Sequence, residues 1–178
     1  MVDEGINVDF VKRVPDVTTG AALIMVDDSI GENMIVAASG SNAELLCTDV
    51  DKAKDQICSS DYVLLQLEIP LETVEYTANM ACDNNVGVIL NPAPGRPLPD
   101  ELLSKVDVLT PNETEAAIIT GQAVTDMESA EKAGRILLER GCKNVVITLG
   151  SGGALCVNSS GVHHVPAFRV EAIDTTGA

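Results

Sequence analysis

The sequence predicts an α/β fold, a mostly parallel sheet covered by helices, with a small β appendage near the N-terminus. Three observations predict it. From about residue 47, short aliphatic runs alternate with helix-length segments, the order that βαβ units require. Four of those runs end in polar, Pro or Gly residues, and the C-terminal strand ends of an open parallel sheet are where ligands bind. The core must be built from Val, Ile, Leu and Ala, because 46% of residues are hydrophobic while aromatics are 2% and Trp is absent. Buried parallel strands favour that composition.

The elements follow in order. Residues 8–14, 21–26 and 33–38 are β-type runs, with a polar hairpin turn, Asp27-Asp28-Ser29-Ile30-Gly31-Glu32, between the last two. The run 21–26 is apolar throughout and predicts two covered faces. These pieces make up a first unit, residues 1–46, and residues 47–178 form the α/β core. Thr48 to Asp51 cap an acidic helix that ends near Ser59. A strand is expected over 62–67, a helix over 71–84 and a strand over 86–90. A short helix over 99–105 and a strand over 106–109 come next. Thr110-Pro111-Asn112-Glu113-Thr114-Glu115 then ends a strand and opens a helix: Pro111 fixes φ, Asn112 caps, and Glu115 stands where a capping box puts its acid. That helix stops at Gly121. A longer one runs over 126–140, with Met127, Ala130, Gly134, Leu137 and Leu138 on one side, and Gly141 ends it. A strand over 145–149 leads into two runs, 154–157 and 162–165, that look antiparallel about Asn158-Ser159-Ser160-Gly161.

Charge and motifs exclude several functions. A net charge of −16 and a pI near 4.2 argue against a nucleic-acid groove and against binding an anionic membrane surface. A polyphosphate on such a chain needs a metal ion and backbone donors rather than a basic pocket. Five Cys, with no Cys-x-x-Cys pair, indicate neither a disulfide framework nor a zinc site. They suit a reducing compartment, and the acidic start Met1-Val2-Asp3-Glu4-Gly5 has no apolar core of a signal peptide, so a cytoplasmic protein is expected. There is no Walker-type phosphate loop and no His-Glu-x-x-His. Gly150-Ser151-Gly152-Gly153 alone is a weak signal. His163 and His164, adjacent on an expected exposed strand, read as solvated surface residues.

The combination is more specific than its parts. Thr19-Gly20-x-Ala22-Leu23-Ile24, Gly31-Glu32-Asn33, Gln66-Leu67-Glu68, Asn91-Pro92-Ala93-Pro94, Thr110-Pro111-Asn112-Glu113-x-Glu115, Thr148-Leu149-Gly150-Ser151-x-Gly153 and Asp174-Thr175-x-Gly177-Ala178 occur in one chain in this order. Together they resemble the phosphofructokinase B-type sugar kinase family from about Val17 to Ala178. Asn-Pro-Ala-Pro and Gln-Leu-Glu point to its ribokinase branch.

The resemblance implies ATP-dependent phosphorylation of D-ribose to ribose 5-phosphate, with Mg²⁺ required and K⁺ as the activating monovalent cation. It makes the N-terminal appendage a lid, in which Ala22 and Ile35 close over the sugar and through which two copies pair as a homodimer. Glu68 is implied to accept the sugar hydroxyls. Asn112 is implied to lie near the phosphates and Glu115 to organise the Mg²⁺ hydration shell. Thr148, Leu149, Gly150, Ser151, Gly152 and Gly153 form the turn along the nucleotide. Asp174 and Thr176 belong to the monovalent-cation site, and Gly177 and Ala178 begin the anion hole.

Two departures qualify this. The family pattern continues past Gly-Ala to Gly and then to the Asp that serves as catalytic base, whereas this sequence stops at Ala178. The Asn/Asp strand and Gly-Gly turn that hold most of the sugar have no counterpart in residues 1–16. The expectation is therefore the middle portion of a sugar kinase, inactive alone, since loss of a general base costs about 10²–10⁴ in rate. An unpaired sheet edge with exposed apolar surface is expected with it. The alternatives are a non-catalytic homologue that binds a nucleotide or a partner, and a kinase for another pentose or a nucleoside.

Overall fold

A six-stranded sheet organises the chain. The computed structural model describes residues 2–27 and 32–170. A hairpin of β1 (Ala21–Asp27) and β2 (Glu32–Ala38) stands apart as a two-stranded antiparallel sheet. The main sheet follows sequence order: β3 (Tyr62–Leu65), β4 (Gly87–Leu90), β5 (Val108–Leu109), β6 (Asn144–Thr148), β7 (Ala154–Asn158) and β8 (Gly161–Val165). The first four are mutually parallel, and β7 and β8 are antiparallel to their neighbours. The helices are α1 (Cys47–Lys52), α2 (Lys54–Cys58), α3 (Leu71–Asp83), α4 (Asp100–Leu103), α5 (Glu113–Thr120) and α6 (Met127–Glu139).

Parallel strands added one after another in a single direction, with right-handed crossovers, carry their connecting helices on one face. Burial alternates accordingly. Val88, Leu90, Leu109, Val145, Ile147, Leu155 and Val157 are sealed under α3, α5 and α6, while Ile89, Val108, Val146 and Cys156 on the other face are half-buried. The core is aliphatic as expected. Arg140, at the end of α6, ties the start of α4 to the end of α5: the guanidinium donates to the carbonyls of Leu98 at 2.6 Å and Ile119 at 2.7 Å, and it pairs with Asp100 at 2.7 Å.

Several expectations are corrected. Residues 8–14 form no strand. The stretch lacks a partner strand and is instead anchored by Lys12, whose ammonium reaches the Glu44 carbonyl and, at 2.6 Å, the Asp49 carboxylate. The helix over 48–59 is broken at Ala53 (φ −95, ψ 6) into α1 and α2, with no Gly or Pro to announce it. Strand β3 stops at Leu65, and β5 is two residues long. The run 21–26 is not covered: Leu23 is 65% and Met25 47% exposed, and Met34, Ile35 and Val36 across from them are open as well. At the base of this hairpin the two chain segments nearly touch. A Cβ on Gly40, where φ is +50, would stand 2.4 Å from the Thr18 carbonyl oxygen. At the far side of the main sheet β3 is the edge strand among the described residues, with Leu64 75% exposed.

Candidate active site

Four successive parallel strands deliver four loops to one rim, and backbone hydrogen bonds continue from loop to loop beyond the strands. Asn91 N–H donates to the Leu65 carbonyl and Leu67 N–H to the Ala93 carbonyl, each at 2.9 Å, which joins the β3 and β4 exits. Thr110 N–H donates to Leu90 at 3.0 Å and joins β4 to β5. Thr148 N–H donates to Pro111 at 3.0 Å, and a parallel bridge links Asn112 with Thr148. Neighbouring strands are about 4.8 Å apart, so Glu68 beyond β3 and Thr148 at the end of β6 are separated by roughly 14 Å along the rim.

Glu68 is exposed and lines a cavity of about 440 Å³ with Gln66, Asn42, Asp49 and Phe10. It does not open α3: the N-cap is Pro70 and the first-turn acid is Glu72. Asn112 and Glu115 form a reciprocal capping box on α5. The Asn112 side-chain oxygen accepts from Glu115 N–H at 2.8 Å, and Glu115 Oε2 accepts from Asn112 N–H at 2.9 Å. The box occupies one oxygen of the half-buried Glu115 carboxylate. The 91–95 loop rests on this first turn: a Cβ on Gly95 would lie 2.9 Å from Ile118 Cδ1 and 3.3 Å from Glu115 Cγ.

Thr148 to Gly153 fold into a tight turn. Leu149 N–H donates to Gly153 and Gly152 N–H to Leu149, both at 2.8 Å, and Gly153 N–H donates to Gly150 at 3.0 Å. Gly153 requires the absence of a side chain: its φ is +93 and a Cβ would stand 2.0 Å from the Val165 carbonyl oxygen. A cavity of about 400 Å³, lined by Leu149 and Gly152 together with Glu113, Thr114, Thr125 and Asp126, opens between this turn and α5. Its two carboxylates disfavour a bare anion inside it. The Asp126 carboxyl is held below its ordinary range by hydrogen bonds from the Ser129 hydroxyl and amide, which cap α6.

The rim thus brings together Glu68, Asn112, Glu115, Thr148, Leu149, Gly150, Ser151, Gly152 and Gly153. Ala22 and Ile35 belong to the hairpin, on one common face, since Ala22 pairs with Ala37 and Ile24 with Ile35. Asp174, Thr176, Gly177 and Ala178 lie outside the described residues. Among the described residues no group of three or more His, Cys, Asp or Glu is arranged to hold a metal ion. No described helix is long and apolar enough to cross a membrane.

One residue of the turn's surroundings escaped the sequence reading. His164, exposed as expected, also places Nε2 2.6 Å from the Gly152 carbonyl oxygen. The β7–β8 register, set by the turn Asn158-Ser159-Ser160-Gly161, puts Leu155 opposite His164 and Ala154 opposite Val165 and so brings it there; composition alone does not show it.

Comparison with known proteins gives a consistent result. The family described as "pfkB family carbohydrate kinase" matches residues 1–178. A Haemophilus influenzae protein named ribokinase is 46% identical over 175 residues, covering 98% of this chain and 57% of that protein. A Salmonella typhi protein named deoxyribokinase is 38% identical over 175 residues, with the same coverage of 98% and 57%. The structure of Arabidopsis thaliana ribokinase complexed with ribose and ATP superposes with a TM-score of 0.75 at 30% identity, covering 85% of this chain and 49% of that one. The chain spans about half the length of the relatives it matches.

Proposed function

We propose, because the chain belongs to the pfkB family of carbohydrate kinases, that the whole protein is a ribokinase-type sugar kinase. In this reading the 5-hydroxyl of D-ribose attacks the γ-phosphoryl of ATP, giving ribose 5-phosphate and ADP. The observation that carries it is the loop-to-loop bonding along one rim, which sets Glu68 at one end and Asn112 with the Thr148–Gly153 turn at the other. Phosphoryl transfer depends mainly on positioning and electrostatics, and a rigid strand-end rim supplies positioning.

Each residue then has a role its chemistry suits. An exposed carboxylate such as Glu68 can accept protons from two neighbouring hydroxyls. Asn112, as the N-cap beside the Thr148 bridge, stands where the phosphates would pass. The turn offers backbone N–H groups with no side chains in the way. Glu115 fits a Mg²⁺ ion that keeps its waters: a half-buried carboxylate with one oxygen already engaged can order a hydrated ion without binding it directly. Bound with ATP, that ion supplies charge neutralisation at the phosphates. We assign K⁺ to Asp174 and Thr176, and the anion hole to Gly177 and Ala178, on the family pattern alone. Ala22 and Ile35 would close over the sugar, and the bare hairpin faces suit a second copy pairing through the lid.

A second reading has one observation in its favour, the 38% identity to a deoxyribokinase over nearly the whole chain. Coupled ADP release decides between them. The whole protein with Mg²⁺, K⁺ and ATP should turn over with D-ribose at a higher kcat/KM than with 2-deoxyribose or a nucleoside. A higher kcat/KM with 2-deoxyribose, or turnover with a nucleoside and none with ribose, would overturn the assignment.

A further inference from the structure

We propose that His164 is a positioning residue for the Thr148–Gly153 turn, holding the Gly152 carbonyl and thereby the plane of the peptide between Gly152 and Gly153. This rests on the reading of that turn as the nucleotide site.

The geometry is specific. A carbonyl oxygen can only accept, so the ring nitrogen at 2.6 Å must carry its proton: Nε2–H donates to Gly152. The same peptide unit is held at its other end, because Gly153 N–H donates to the Gly150 carbonyl at 3.0 Å. A peptide is planar, so bonds at both ends resist its rotation. Glycine on each side leaves the backbone otherwise free to flip, which is the usual cost of a glycine-rich turn. The exit of β8 closes the third side. A Cβ on Gly153 would meet the carbonyl oxygen of Val165 at 2.0 Å and the amide of Ala167 at 2.7 Å. Strand β8 therefore supports the turn twice, through the imidazole and through its own backbone. His163 does not share this function. It pairs with Cys156 on the opposite face of the strand, whereas His164 pairs with Leu155.

A neutral hydrogen bond in an exposed place corresponds to roughly a fivefold change in an equilibrium. The test uses the whole protein, in which the rest of the nucleotide site is present. His164→Phe keeps the ring and the strand preference but removes the donor. His164→Gln restores a donor, and His163→Phe is the control on the other face. Two readouts are compared, hydrogen exchange at the Gly152 and Gly153 amides and the Kd for Mg·ATP, with Tm as the measure of general stability. The expected result is about fivefold faster exchange and about fivefold weaker binding for His164→Phe, with Tm within about 2 °C of the parent. His164→Gln and His163→Phe should behave as the parent does. Unchanged exchange in His164→Phe, or His164→Gln as loose as His164→Phe, would overturn the proposal. If the whole parent protein fails to bind Mg·ATP, the nucleotide reading of the turn fails, while the exchange readout still decides the role of His164.

Discussion

Glu115 has two jobs in this account, closing the capping box on α5 and ordering the metal's water, and a pair of substitutions separates them. Glu115→Gln keeps an oxygen that accepts from Asn112 N–H, a bond of 2.9 Å in the parent, and removes the charge. Glu115→Ala removes both. The hydrogen bond contributes about 0.5–1.5 kcal/mol and the charge at a helix N-terminus about 0.3–1 kcal/mol. Glu115→Ala should therefore lower stability by about 1–2 kcal/mol and Glu115→Gln by about 0.3–1 kcal/mol, read from urea unfolding. Metal dependence should not follow that order. A hydrated Mg²⁺ responds to the carboxylate charge, so both variants should need about tenfold more Mg²⁺ for half-maximal ATP binding. The assay is an ATP titration at fixed Mg²⁺ steps. A Glu115→Gln chain whose Mg²⁺ requirement stays within about twofold of the parent would refute the reasoning and leave Glu115 as a helix cap.

Three further predictions follow from the core and its edges. Hydrogen bonds from Lys12, then Lys52, then the Leu46 amide hold the Asp49 carboxyl well below its ordinary 3.8. A depressed carboxylate stabilises the fold above the unfolded value and loses that contribution as pH falls through the folded one, so the Tm gap between parent and Asp49→Asn should be full at pH 6 and shrink below pH 3.8; a gap constant down to pH 2 would count against it. Burial pushes the Cys142 thiol up to about 12 and it is 4% exposed, so under alkylation at pH 8 the exposed Cys82 should react first and Cys142 only on unfolding, as peptide mass mapping would read. A Cβ on Gly134 of α6 would stand 2.6 Å from Val157 Cγ2, so Gly134→Ala should lose about 1–3 kcal/mol to overpacking, less about 1 kcal/mol regained in helix propensity. Adding Val157→Ala should then cost less than it does in the parent, and strictly additive unfolding energies would contradict that packing.

Much of the architecture was legible because it rests on local chemistry. Aliphatic runs between capped helices named β3 to β6, and Asn112, Gly121 and Asp126 marked helix ends where the structure has them. The failures share a cause. Residues 8–14 carry Val and Phe as a strand does but find no ladder, and a lysine anchor holds them instead. The 21–26 run is as apolar as a buried strand, yet Leu23, Ile24 and Met25 are exposed, because composition cannot tell a covered strand from a bare one. Ala53 breaks a helix without a breaker residue, and both halves pack on α3. The rim was legible as a set of loop residues, since Pro, Gly and Asn at strand ends are read directly. What joins those loops, such as Leu67 to Ala93 and Thr148 to Pro111, depends on strand order. His164 depends on hairpin register in the same way.

The most direct test is an amide chemical-shift map of the labelled chain, taken with D-ribose and then with Mg·ATP. Sugar should perturb residues 66–69 and nucleotide should perturb 110–115 and 148–153, all on the rim at the strand C-termini. Shifts gathered instead at the opposite rim, around Asn85, Lys105 and Lys143, would contradict it.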